Sequence, residues 1–79
     1  MTKNELIEKI ENGSDIMFDV SGRHFTIVTW LDEGIGIGEQ NKNEPLKIFQ
    51  TAEDLISNFM VGKKSLEGLC ENIAITQYS

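Results

Sequence analysis

The alternation of apolar and polar positions divides the chain into stretches with a helical period and stretches with the period of a strand. Leu6, Ile7 and Ile10 fall on one side of a helix, with Glu5, Glu8, Lys9 and Glu11 on the other. Thr2 followed three residues later by Glu5 matches a capping box, in which each side chain satisfies a backbone N–H that the helix leaves open. Asn12-Gly13 supplies the stop, since glycine readily takes the left-handed conformation that ends many helices. The period then changes. Ile16 to Val20 is a short apolar run closed by the turn Ser21-Gly22. Arg23 to Leu31 follows and contains His24-Phe25-Thr26-Ile27-Val28-Thr29-Trp30, the most β-prone stretch in the chain. Asp32-Glu33-Gly34 makes a second turn. Ile35-Gly36-Ile37-Gly38 reads as a third strand, with the isoleucines facing the core and the glycines facing away.

After the polar stretch Gln40 to Pro45, Leu46 to Phe49 can add a fourth strand. Thr51 with Asp54 three residues on resembles a second capping box, and Leu55, Ile56, Phe59 and Met60 form the apolar stripe of the helix it opens. Gly62-Lys63-Lys64 breaks that helix, and Ser65 can cap a short third one carrying Leu66, Leu69, Cys70 and Ile73. The alternating tail 73–78 ends as a strand or an ordered arm. The elements predict a single α+β domain over residues 1–79: an antiparallel three- or four-stranded meander with an N-terminal helix and two C-terminal helices packed on it. The expected core is Leu6, Ile7, Ile10, Phe18, Phe25, Ile27, Ile35, Ile37, Ile48, Leu55, Phe59, Leu66, Leu69 and Ile73.

Charge narrows the range of partners. Thirteen acidic residues against seven basic ones give a net charge of −6. A surface of that sign repels nucleic acid and anionic membrane, and it favours a basic protein partner or simple solubility. No apolar run approaches the roughly 18 residues of a membrane span, and Met1-Thr2-Lys3-Asn4-Glu5 lacks the layout of a signal peptide. The expectation is a cytoplasmic monomer, which makes the sequon Asn12-Gly13-Ser14 a turn. Cys70 is the only cysteine, so neither an internal disulfide nor a cysteine-based zinc site is available.

Each chemical motif has a sufficient structural reading. His24, the only histidine, sits in a strand and Cys70 in a distant helix with nothing in the sequence to pair them, so His24 is expected to face solvent rather than serve as a base. Cys70 shares an apolar stripe with Leu66, Leu69 and Ile73 and is expected to be a buried, inert thiol. Gly34-Ile35-Gly36-Ile37-Gly38 fails the dinucleotide fingerprint, because its sixth position is Glu39 and no helix follows. Gly62-Lys63-Lys64-Ser65 lacks the upstream glycine of a P-loop, Ser57 standing in its place. The carboxylate pairs Asp32-Glu33 and Glu53-Asp54 suit a turn and a helix start. No cofactor or metal is expected.

Two segments carry a resemblance: Glu5-Leu6-Ile7-Glu8-Lys9-Ile10-Glu11-Asn12-Gly13, and Asp54-Leu55-Ile56-Ser57-Asn58-Phe59 followed by Val61-Gly62-Lys63-Lys64-Ser65-Leu66. In these the chain resembles short acidic proteins of Gram-positive bacteria and their prophages. Its order of elements is also similar to a phage-encoded inhibitor of the type II CRISPR nuclease, with Val20-Ser21-Gly22 closing the first strand, although that inhibitor's longer acidic C-terminal stretch has no counterpart here. The resemblance implies a bacterial or phage setting and assigns no activity.

The functional expectation is a non-catalytic protein-binding module that docks on a basic partner, as an immunity protein, a phage inhibitor or a small regulator does. Its candidate binding residues are Trp30, Asp32 and Glu33: an aromatic anchor at a strand end beside an acidic turn. A tryptophan in so small a domain is more often core, so its exposure decides the matter. Two alternatives stand beside this reading. One is a DNA mimic, with Glu5, Glu8, Glu11, Asp15, Asp19, Asp32, Glu33 and Glu39 standing in for phosphates. The other is a small enzyme whose site has no recognisable signature.

Overall fold

The capping box closes the first helix as its residues require. In the computed structural model, which describes residues 1–79, α1 spans Lys3–Asn12. Thr2 Oγ1 accepts the Glu5 N–H at 3.2 Å, and the Glu5 carboxylate accepts the Thr2 N–H at 2.9 Å. The backbone hydrogen bond from Thr2, helped by its hydroxyl, holds the Glu5 carboxyl below the usual glutamate range. The stop differs from expectation. Gly13 is extended, with φ −98° rather than a left-handed value. Its missing side chain matters for packing instead, because a Cβ there would lie 2.9 Å from both Ile16 Cδ1 and Tyr78 Cε1.

Strand β1 (Asp15–Val20) and strand β2 (Arg23–Leu31) form a hairpin across Ser21-Gly22. These two residues have φ 54° and 73°, the pair of positive values that a type I′ turn demands. Strand β3 (Gly34–Glu39) runs antiparallel to β2, and β4 (Lys47–Phe49) antiparallel to β3. The meander is therefore four strands long, but the sheet has five. The tail forms β7 (Ala74–Tyr78), which pairs antiparallel with the free edge of β1 and gives the order β4-β3-β2-β1-β7. Its alternation serves that edge: Ile75 sits opposite Phe18 and packs against the core, and the Tyr78 hydroxyl donates to the Lys9 carbonyl at 2.8 Å.

Between β4 and β7 the chain departs further from the expected helices. Helix α2 covers only Ala52–Asn58; Thr51 accepts the Asp54 N–H at 3.0 Å, the single capping bond it makes. Phe59 is extended and buried, and Met60 opens a small hairpin of β5 (Met60–Val61) and β6 (Lys64–Ser65). Gly62, at φ 67°, makes that hairpin's turn and does not break a helix. The third helix is a 3₁₀ helix, Glu67–Asn72, opened by the Ser65 hydroxyl accepting from the Gly68 N–H at 3.3 Å. So short a segment is a poor α-helix on its own, and the tighter winding delivers the chain to β7.

Both α-helices, the hairpin and the 3₁₀ helix lie on one face of the sheet. Ile16, Phe18, Val20, Phe25, Ile27 and Ile37 point towards them and share one cluster with Leu6, Ile10, Leu55, Ile56, Phe59, Val61, Leu66, Leu69 and Ile73. Phe18 stacks on Phe25 at 5.4 Å, and Phe59 meets Phe25 edge-on at 5.7 Å. Ile7 and Ile35 are only partly buried against this cluster, and so is Cys70. Ile48 belongs elsewhere: it is 37% exposed because it pairs with Gly36 and so shares the parity of the glycines, away from the core.

The opposite face carries no helix. Its residues are Asp15, Met17 and Asp19 from β1, His24, Thr26 and Val28 from β2, Gly36 and Gly38 from β3, and Ile48 from β4. The two glycines make room for side chains lying flat over the sheet. A Cβ on Gly36 would stand 2.9 Å from Leu31 Cδ1 and 3.0 Å from Leu46 Cδ1, and one on Gly38 would stand 2.8 Å from Leu46 Cδ2. Val28 is buried beneath them, outside the main core.

Candidate protein-binding face

Trp30 owes its position to a break in the β2–β3 ladder. Val28 pairs with Gly36 and Leu31 with Gly34, so β2 spends one more residue than β3 over that interval. A bulge of this kind re-aims the side chains within it. Leu31 turns over Gly36, and Trp30 is left 64% exposed. The indole has one partner: its Nε1–H donates to Asp15 Oδ1 at 3.1 Å, which connects it to the start of β1.

Comparison with protein-family models, with curated proteins and with solved structures gives no match. The site therefore rests on its own geometry.

The acidic turn is built rigidly. Gly34 has φ 138°, and a Cβ on it would strike the Phe49 carbonyl at 2.5 Å, so only glycine closes the turn against β4. Gln50 Nε2 donates to the Glu33 carbonyl at 2.9 Å from the same side. Asp32 and Glu33 are both exposed, and neither carboxylate forms an ion pair within the chain. The structure thus puts Trp30 on the uncovered face with Asp15, Leu31, Leu46 and Ile48, and Asp32 and Glu33 in the turn that closes that end of the β2–β3 pair. Leu46 and Ile48 are 40% and 37% exposed, large for aliphatic side chains on a sheet. The readable signal for this pair was their spacing around Lys47, opposite a strand of alternating glycines.

Charge on this face has one sign. None of its strand positions holds lysine or arginine. Arg23 has the other parity and pairs with Glu39 through Nε at 2.9 Å and Nη2 at 2.5 Å. That fork raises the Arg23 guanidinium further and lowers the Glu39 carboxyl, the hydrogen bond being the main cause in both. His24 faces solvent as expected and gains a partner, its Nδ1 lying 2.5 Å from Asp19 Oδ1. A base also needs a nucleophile, and no hydroxyl or thiol bonds to this ring; Cys70 sits in the 3₁₀ helix on the far side of the sheet. No third His, Cys, Asp or Glu joins the pair to make a metal site.

The carboxylates of a DNA mimic should lie in one track. Here Glu5, Glu8 and Glu11 ride on α1, on one side of the sheet, while Asp15 and Asp19 project from the other and Glu39 is spent on Arg23. Two recesses mark the surface. The first, about 150 Å³ between Arg23, Lys42, Lys47, Phe59 and Met60, is smaller than the roughly 300 Å³ at which ligand pockets begin. The second, about 350 Å³, is a shallow groove beside Glu11. Its other polar side chains are committed: Thr29 to the Gly13 carbonyl, Gln50 to the Glu33 carbonyl and Thr51 to the start of α2. No helix is long and apolar enough to cross a membrane.

Proposed function

We propose that this chain is a non-catalytic binding module that docks on a basic protein through the uncovered face of its sheet, around Trp30, Asp32 and Glu33. One observation carries the reading: the only tryptophan is 64% exposed, yet its ring is held by a hydrogen bond to Asp15. An aromatic side chain with a fixed rotamer loses little entropy when a partner covers it. Its surroundings support the same reading, with aliphatic area from Leu31, Leu46 and Ile48 and, in the adjoining turn, the Asp32 and Glu33 carboxylates, which form no ion pair within the chain. On this reading the protein acts as an immunity factor, a phage inhibitor or a small regulator, needs no cofactor, and works as a cytoplasmic monomer.

The test is kinetic. Proteins captured on the immobilised chain are purified, and their binding is measured by surface plasmon resonance across a salt series. Complementary charges mainly set the on-rate and buried aromatic anchors the off-rate. Asp32→Asn with Glu33→Gln lowers the on-rate and flattens its salt dependence, whereas Trp30→Ala raises the off-rate. Glu8→Gln with Glu11→Gln on α1 serves as the control. Binding lost in the α1 variant but kept in the face variants overturns the proposal.

A further inference from the structure

We infer that the anchor this face selects is an arginine side chain of the partner, its guanidinium stacked on the Trp30 indole and forked to the neighbouring carboxylates. This deepens the reading above and rests on it. Three features of the face fit a guanidinium better than an ammonium. The first is the ring. Trp30 offers an exposed π-face, and tryptophan is the strongest of the aromatic platforms for a cation. Guanidinium adds planar stacking, which a compact, strongly hydrated ammonium does not provide. The second is the way the ring is held. With Nε1–H bonded to Asp15 Oδ1, the indole's only hydrogen-bond donor is already used, which leaves stacking and apolar contact with the ring for a partner. The third is the arrangement of carboxylates. Asp15 keeps its second oxygen free of any bond within the chain, and Asp32 and Glu33 follow Trp30 by two and three residues with no partner of their own. An arginine has five donors in a rigid plane, so it satisfies the ring and a carboxylate together; a lysine offers a point charge.

The same chain contains the converse arrangement. Arg23 forks onto Glu39 while its guanidinium lies 5.4 Å from the Phe25 ring centroid. At Trp30 the ring lies beside the Asp15 carboxylate instead. No lysine or arginine of the chain reaches that ring, for the cation–ring contacts it makes are to Tyr78, Phe25 and Phe59.

The test uses two probes of equal charge, nonaarginine and nonalysine peptides, titrated into the intact protein at low salt. Trp30 is the only tryptophan, so its emission reports on the site itself. The expected result is that nonaarginine binds about two- to fivefold more tightly than nonalysine, the size of an exposed cation–π contact, and shifts or quenches the emission more at saturation. Trp30→Leu should erase that preference, weakening nonaarginine more than nonalysine. Trp30→Phe, a milder change that keeps a ring, should retain part of it. Asp15→Asn, which still accepts the indole N–H, should weaken nonaarginine more than nonalysine. Equal affinities for the two peptides overturn the arginine inference and leave the basic-partner reading intact. Failure of both peptides to bind at low salt removes the basic-partner reading itself. An arginine preference that survives Trp30→Leu places the guanidinium elsewhere and likewise overturns the inference.

Discussion

Replacing Trp30 with alanine separates a binding anchor from a core residue, and the structure sets the size of the effect. The side chain is 64% exposed, so about a third of its surface is covered. Taking roughly 250 Å² for a tryptophan, about 90 Å² leaves water on folding. At about 25 cal/mol per Å² that is about 2 kcal/mol, an upper figure because the unfolded chain already covers some of it and alanine retains the Cβ. The hydrogen bond to Asp15 is exposed and adds little. The expected cost is about 1–2 kcal/mol. Phe18, 1% exposed in the core, provides the comparison: Phe18→Ala should cost about 3–5 kcal/mol. A domain of this length has about 4–12 kcal/mol of stability in total, so Trp30→Ala stays folded and Phe18→Ala approaches unfolding. Urea denaturation followed by circular dichroism measures both. The wild-type tryptophan should emit at long wavelength and be quenched by iodide. A cost of 3 kcal/mol or more for Trp30→Ala, as a core aromatic would show, or a blue emission that iodide does not reach, refutes the assignment of Trp30 to the surface.

Acid should destabilise the fold through two glutamates. Glu5 and Glu39 are both held below the ordinary range in the folded state, so their stabilisation is present above roughly pH 4.3, the unfolded value, and fades as pH falls through the folded values. Urea midpoints measured from pH 7 to pH 3 should therefore fall in the wild type and fall less steeply in Glu5→Gln and in Arg23→Gln; an unchanged slope contradicts the hydrogen-bond causes given above. Two glycines with positive φ should respond differently to alanine. Gly62 faces open space, so Gly62→Ala costs about 1–2 kcal/mol, whereas Gly34→Ala also meets the Phe49 carbonyl and costs more; equal costs would show that β4 gives way. The chain should bind neither duplex nor single-stranded nucleic acid at physiological salt, given its net charge of −6, and micromolar binding in fluorescence anisotropy that weakens steeply with salt refutes this.

The first half of the chain was legible because its signals are local. A capping box, a Ser-Gly turn and alternating strands act over a few residues, and α1, β1, β2 and β3 form close to where those signals place them. The second half was harder because its elements answer to distant neighbours. Phe59 and Met60 continue the helical spacing of Leu55 and Ile56, yet Phe59 is drawn out of the helix to meet Phe25, and the chain turns into β5. The tail's alternation suits a strand, but its partner β1 lies more than fifty residues away, and nothing near 74–78 names it. Ile48 was misplaced for the same reason: its inward or outward parity depends on pairing with Gly36, and a one-residue choice of register moves a strand's side chains to the other face.

The candidate site was half legible, and the missing half explains the visible half. Trp30 and the acidic turn stand out in the sequence because aromatic and charged residues at a strand end are unusual neighbours. Which way the indole points is decided by the bulge opposite Gly34 and Gly36, a property of two strands together. The glycines themselves were read as a thin strand with an empty outer face. They leave that face empty of their own side chains so that Leu31 and Leu46 can occupy it. A β-branched residue at position 36 would displace both leucines, and one at position 38 would displace Leu46. Glycine instead gives up strand propensity at two positions and yields a flat apolar surface beside a fixed indole. That loss has no compensation inside the core, since Leu31, Leu46 and Ile48 add nothing to the main cluster. On the function proposed above, this aliphatic area is the contact surface, and the lack of lysine or arginine at its strand positions favours a partner of positive charge.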